Sequence, residues 1–213
     1  MEDLDLISLL YGHFKKEREE HRREPGVYWV TDLVSCSLKE RFSRMYPELE
    51  LAQLFKPILI QGTLIHMGLE ALLKEVLEAE GARVEVEKEG SIEVDMSGII
   101  PGAGKVTVKG RVDLALELPE SRRFGVEVKS SRGDSPLPLE HHVDQVRIYN
   151  SMFGFEASYL LYVTPERIAQ YEVRGRMEED EVMKRIAEPK APRYTWECRY
   201  CPFSVLCPSK VVK

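Results

Sequence analysis

Apolar positions change period twice along the chain. Over residues 2–23, Leu4, Ile7, Leu10, Tyr11 and Phe14 fall at helical spacing, and the run KKEREEHRRE reads as a solvated helix face. Pro25-Gly26 breaks this helix. VYWVTDLVSCSLKERFSRMYP then reads as a short extended piece and a helix, with Thr31 or Asp32 as its cap and Cys36 near its start. Residues 61–80 form the clearest helix, with Ile65, Leu69, Leu72, Leu73 and Val76 as its apolar stripe and Gly81 as its stop. From there the period shortens. Residues 83–96 alternate as a strand, 98–104 turn, and 105–118 read as a long strand. RFGVEVKS is a strand after the five-residue connection PESRR, and HHVDQVRIYNSMF is a helix. SYLLYVT and IAQYEVR are strands divided at Pro165, residues 177–187 form a last helix, and EPKAPRY leads into the final cysteines. Strands mixed with helices predict an α/β or α+β core with a mixed sheet.

At 213 residues the chain fits one domain, or one with a small appendage. Hydrophobic residues are 43% and charged residues 31%, a globular rather than disordered balance. The most apolar stretch, Pro57 to Leu73, is interrupted by Gln61, His66 and Glu70, short of the roughly 20 apolar residues that span a bilayer. The N-terminus is acidic and unlike a signal peptide, so a cytoplasmic protein is expected. A net charge of −6 argues against nucleic-acid binding by bulk electrostatics. A nucleic-acid partner would need a local basic patch or bound metal ions. One Asn and four Gln beside abundant Glu, Lys and Arg resemble a thermophile's composition.

The long strand places Asp113, Ala115 and Glu117 on one face and Val112, Leu114, Leu116 and Leu118 on the other. In the next strand Glu127 and Lys129 share a face. A symmetric hairpin sets Leu118 opposite Phe124, Ala115 opposite Glu127 and Asp113 opposite Lys129. Asp113 and Glu127 then lie within reach of one hard cation such as Mg²⁺ or Mn²⁺. The same pattern also fits a surface ion pair with a solvated Asp. His66, on the flank of the 61–80 stripe, is a further ligand candidate or a satisfied core histidine. Gln145 and Tyr149, at i and i+4, either both point inward or divide into a rim Gln and a core Tyr. His141 and His142 read as solvated, without a role.

Cys198, Cys201 and Cys207 read C-x2-C-x5-C, and Cys36 lies 162 positions upstream. This one-plus-three split fits an iron–sulfur cluster better than a zinc ribbon of two local pairs, and an unliganded set is the remaining reading. A bound cluster would staple the two ends of the chain, and removing any one ligand would loosen the C-terminus.

Together, His66, G-R-V-D ending in Asp113, E-V-K (Glu127, Lys129) and Gln145-x3-Tyr149 resemble the RecB-type branch of the PD-(D/E)XK nuclease superfamily. A Cys before the His and C-x2-C-x5-C after the core mark its iron–sulfur members. In so short a chain, the closest resemblance is to the Cas four family of CRISPR-associated exonucleases, over roughly residues 28–208. The resemblance implies a restriction-endonuclease-like core and a metal-dependent DNA exonuclease, favouring single strands, that acts with the CRISPR integrase complex in spacer acquisition and antiviral defence. It implies that His66, Asp113, Glu127 and the carbonyl of Val128 bind Mn²⁺ or Mg²⁺. Lys129 then positions water, and Gln145 and Tyr149 orient substrate or Lys129. Cys36, Cys198, Cys201 and Cys207 hold a cluster, [4Fe–4S] or [2Fe–2S]. Val112 stands where the superfamily name has Pro. The implied layout is one nuclease domain over 1–213, with a helical part at 1–56, the core at 57–188 and a cluster-binding segment at 189–213 joined to Cys36. Arg193, Tyr194, Trp196, Arg199 and Tyr200 either stack on DNA or pack around the cluster. The alternative function is an iron–sulfur DNA-binding scaffold with a vestigial nuclease centre.

Overall fold

A mixed sheet carries the helices, and the described part of the chain covers residues 4–20, 24, 26–133 and 136–211 of a computed structural model. The elements in chain order are α1 (Leu6–Glu20), β1 (Val27–Trp29), α2 (Val30–Leu33), α3 (Ser37–Met45), α4 (Pro47–Leu51), α5 (Pro57–Ala79), β2 (Arg83–Asp95), β3 (Lys105–Leu118), β4 (Arg122–Ser130), α6 (Glu140–Phe153), β5 (Ala157–Val163), β6 (Ile168–Val173), α7 (Glu179–Ala187) and α8 (Glu197–Tyr200). Residues 2–3 and 21–23 of the predicted first helix, and Pro25 of its predicted break, lie outside the described residues. Among the described residues, no helix is long and apolar enough to cross a membrane.

The sheet runs β1-β3-β4-β5-β6, and β2 pairs with the other edge of β3. β2 and β3 are antiparallel from Arg83↔Glu117 to Asp95↔Lys105. The opposite edge of β3 is divided. Parallel β1 covers Thr107–Lys109 and antiparallel β4 covers Leu114–Leu118. Among the described residues, positions 110–113 of that edge face no paired strand. β4 continues beyond Val126 beside parallel β5 alone, so β3 and β4 part like the arms of a V.

The observed hairpin register differs from the predicted one. Leu118 faces Arg122 and Ala115 faces Gly125, not Phe124 and Glu127. The connection is only Pro119–Ser121, closed tightly because Glu120 and Ser121 adopt left-handed φ values of 67° and 59°. A slip of two residues along one strand keeps every side chain on its face.

The predicted single apolar face of β3 is also not what forms. Val108 and Val112 pack in the cluster that holds Val146 and Tyr149 of α6. Leu114 and Leu116 pack in a second cluster, against Leu73 and Leu77 of α5, while Ala115 joins the first. The change of face falls at Asp113. Across from it in β2, Glu87 has a left-handed φ of 49° and is skipped by the register between Val86↔Leu114 and Lys88↔Val112. A non-glycine residue held there strains the backbone, and here the strain turns the ribbon between its two layers.

Helix α6 lies on a floor of paired glycines. Gly90 and Gly110 are cross-strand partners. A Cβ on Gly110 would stand 2.7 Å from the Tyr149 ring and 2.9 Å from Val30, and one on Gly90 would strike Phe153. The missing methyls let the helix, and the side chains it aims at the V, approach the sheet closely.

Two predicted stripes are corrected by the packing. On α1, Phe14 is buried and Tyr11 packs on Phe55 at 5.2 Å, whereas Leu4, Ile7 and Leu10 are exposed. On α5, Leu72 and Val76 are exposed and Glu70 is the buried position, because this helix sits over the V as well as over the apolar sheet. The cap of α2 is also reassigned: Asp32 lies within the helix and accepts the Trp29 amide at 2.9 Å.

Candidate active site and thiol cavity

The V between β3 and β4 collects the acidic residues. From α5, His66 and Glu70 reach Asp113, and one ligand atom of each lies within 4.8 Å of the others. His66 Nδ1 is 3.3 Å from Asp113 Oδ2. Gly62, one turn earlier, brings α5 against β4, since a Cβ there would sit 2.9 Å from Ser130 Oγ. Asp113 Oδ2 also accepts the Val128 amide at 2.7 Å. In an extended strand the N–H and C=O of one residue point to the same side, so the Val128 carbonyl faces the V too.

Glu127 closes the other arm and is buried. Its Oε1 accepts from Lys129 Nζ at 2.7 Å and from Gln145 Nε2 at 2.7 Å. Gln145 also donates to the Tyr149 hydroxyl at 3.1 Å, so both members of the Gln-x3-Tyr pair point inward. The second oxygen, Oε2, is buried without a hydrogen-bond partner among the described residues.

This crowding perturbs the acids. Burial pushes Glu70 up to about 7, and Asp113 and Glu87 add to the shift. Burial also pushes Glu127 up, against the opposing pull of Lys129. The Tyr149 phenol, raised well above its ordinary range by burial, stays neutral. Two carboxylates and an imidazole, from Glu70, Asp113 and His66, form a hard-to-borderline donor set that suits Mg²⁺ or Mn²⁺, with buried Glu127 on the adjoining arm. The orphaned Glu127 Oε2 and the elevated Glu70 are what an acidic site shows when no cation compensates it. Glu70 was not among the residues singled out from the sequence. Its signal was the spacing His66-x3-Glu70, one helical turn.

Four thiols form a separate centre. Cys36 caps α3, Cys198 lies in α8, and Cys201 and Cys207 flank the turn Pro202–Val205. All four are free and line one cavity of about 200 Å³, with His141, Trp196 and Glu197 in its wall. Burial raises the Cys36 and Cys201 thiols. A set of four sulfurs is soft and suits an iron–sulfur cluster or zinc.

His141 and His142 are half-buried and packed, where solvated side chains are expected. His141 packs on Trp196 at 5.0 Å and Tyr194 at 5.6 Å, and Tyr194 stacks on Trp196. His142 Nδ1 is hydrogen-bonded to the Tyr162 hydroxyl at 2.8 Å, and that hydroxyl also accepts the Leu139 amide at 3.0 Å. Burial, then the charge of Lys129, lowers His141 to about 4 and His142 to about 2, leaving both neutral at pH 7. Arg199 stands 5.7 Å over the Tyr200 ring.

Comparison with known proteins agrees with this geometry. A model of the PD-(D/E)XK nuclease superfamily matches residues 31–208. The CRISPR-associated exonuclease Cas4 of Saccharolobus solfataricus is 39% identical over 206 residues, covering 92% of this chain and 96% of that protein. The crystal structure of SSO0001 superposes with a TM-score of 0.87 at 34% identity, covering 97% of this chain and 98% of that one.

Proposed function

Since the chain belongs to the PD-(D/E)XK nuclease superfamily and is a metal-dependent nuclease, we propose that it is a cytoplasmic DNA exonuclease of CRISPR adaptation. Its substrate is DNA, single strands favoured, trimmed for the integrase complex. The observation that carries this reading is the convergence of His66, Asp113, Glu127 and Lys129 in the V between β3 and β4.

His66, Asp113, Glu127 and the Val128 carbonyl, with Glu70 added, hold the cation. When bound, Mg²⁺ or Mn²⁺ acidifies water and offsets the charge that grows on the scissile phosphate. Lys129 is held by Glu127 at the mouth of the V, where its ammonium group orients the attacking water and stabilises the phosphoryl oxygens. Gln145 fixes the Glu127 carboxylate, and neutral Tyr149 fixes Gln145. Cys36, Cys198, Cys201 and Cys207 hold an iron–sulfur cluster, [4Fe–4S] favoured. The partly exposed Trp196, stacked on Tyr194, supports contact with unpaired bases.

The decisive experiment is cleavage of end-labelled single-stranded DNA in Mn²⁺ by air-free wild type beside Asp113→Ala. Progressive shortening by wild type alone supports the exonuclease. Internal cuts overturn the exonuclease part, and equal cleavage by both proteins overturns the site.

A further inference from the structure

The segment Leu33–Ser37 is tied to the C-terminal part of the chain by hydrogen bonds in which no thiol takes part. The Ser37 amide and hydroxyl both donate to the Lys190 carbonyl, each at 3.0 Å. Arg193 Nε donates to the Ser35 carbonyl at 3.2 Å and Arg185 to the Leu33 carbonyl at 3.4 Å. Arg185 is itself anchored on buried Asp144 of α6 at 2.7 Å. At the centre of this seam lies Glu197. Its Oε1 accepts the amide of Cys36 at 2.8 Å, and its Oε2 accepts the amide of Tyr194 at 2.8 Å.

The first of these bonds spans 161 positions and ends on the cysteine that stands apart from the other three. Glu197 also immediately precedes Cys198 and lines the thiol cavity. A carboxylate beside four sulfurs that must become thiolates is electrostatically adverse. Here both oxygens are turned onto amides, as charge-assisted bonds that are stronger than neutral ones.

Resting on the reading that the four cysteines hold an iron–sulfur cluster, we propose that Glu197 is the positioning residue that assembles their site in advance. It docks Cys36 against the C-terminal segment before any cluster arrives, so the cluster enters a cavity already formed. The protein's own hydrogen bonds close the long loop. The cluster is then a guest of the seam and not its staple, which reverses the expectation drawn from the cysteine spacing.

Two arms test this. In the first, amide hydrogen exchange is measured on reduced, metal-stripped protein. A variant with all four cysteines changed to Ser keeps the protection of residues 33–37 and 190–200 within about threefold of wild type. Glu197→Ala raises exchange there tenfold or more and leaves β2–β6 unchanged, and Glu197→Gln, which keeps one acceptor oxygen, falls between. In the second arm, equal amounts of ferrous and ferric iron are supplied with sulfide, without air, so that the mixed-valent cluster forms with no added oxidant, and absorbance near 400 nm is followed. Glu197→Ala takes up iron at least tenfold more slowly than wild type and ends with the same spectrum. Loss of protection in the cysteine-free variant would return the staple role to the cluster and overturn the proposal. So would wild-type exchange in Glu197→Ala. An altered final spectrum would make Glu197 a ligand and overturn its positioning role. If wild type takes up no iron–sulfur cluster, the reading of the thiols fails, while the exchange arm still reports on the seam.

Discussion

The carboxylate of Asp113 accepts the Val128 amide at 2.7 Å at the place where β3 and β4 cease to pair. A side chain stands in for the next rung of the ladder, and the same oxygen lies 3.3 Å from His66. Asp113 thus has a structural and a chemical role that two variants separate. Asp113→Asn keeps an acceptor for Val128 but lacks the charge. It is expected to lose about 10²–10³-fold in cleavage rate, with melting close to wild type. Asp113→Ala also orphans the Val128 amide, at about 1–3 kcal/mol, or roughly 2–4 °C per kcal/mol for a chain of this size. Equal melting temperatures for the two variants would remove the structural role.

Gln145 supports Glu127 from outside the cation's reach. Partners of this kind are worth about 10–100-fold in metal affinity or activity. Gln145→Ala should weaken Mn²⁺ binding by that amount in a paramagnetic-resonance titration, and Gln145→Glu should weaken it no less, because a carboxylate cannot donate to Glu127. Unchanged Mn²⁺ affinity in both would mean that Lys129 alone orients the acid.

Glu70 makes the cation-free protein sensitive to pH. Its folded-state pKa of about 7 lies above its ordinary 4.5. Between these values the folded protein holds a proton that the unfolded chain has released, so stability falls as pH rises through the window. Chelator-treated wild type should melt lower at pH 8 than at pH 5.5, and Glu70→Gln should reduce that difference. Mn²⁺ affinity should run the other way. It rises with pH as Glu70 ionises, and it rises less steeply in Glu70→Gln. Identical pH profiles for the two proteins would exclude Glu70 from the cation site.

The glycine floor gives a test far from any ligand. Gly110→Ala places a methyl 2.7 Å from the Tyr149 ring. Overpacking of this kind costs about 1–3 kcal/mol, and the displaced Tyr149 carries Gln145 with it. The expected result is a lower melting temperature together with a lower kcat. Gly12→Ala, in the middle of α1 with nothing within 4 Å of the added methyl, is the control expected to keep kcat and to melt no lower than wild type.

Much of this was legible in the residues. The alternation of β3 and β4 puts Asp113, Glu127 and Lys129 together under either register, because a slip of two preserves faces. The cysteine spacing pointed to one soft site. What stayed hidden was set by backbone states that the local residue types do not advertise. The left-handed Glu120 and Ser121 shorten the hairpin, and the left-handed Glu87 turns the ribbon at Asp113. Glu70 was obscured because it shares its helix with a stripe of leucines. Its burial depends on the V below it, a tertiary feature. His141 and His142 carried no periodic signal, and only the arrival of residues 194–196 covers His141.

The seam between Leu33–Ser37 and the C-terminal segment has a consequence for how the protein is born. Cys36 leaves the ribosome 162 residues ahead of Cys198, and at common rates of synthesis that interval is roughly 8–30 s. Throughout it the first thiol has none of its companions, and the carboxylate that docks its amide does not yet exist. The cavity can therefore assemble only after residues 197–207 have been released. Until then the early thiol meets the reducing power, or the oxidants, of its surroundings alone.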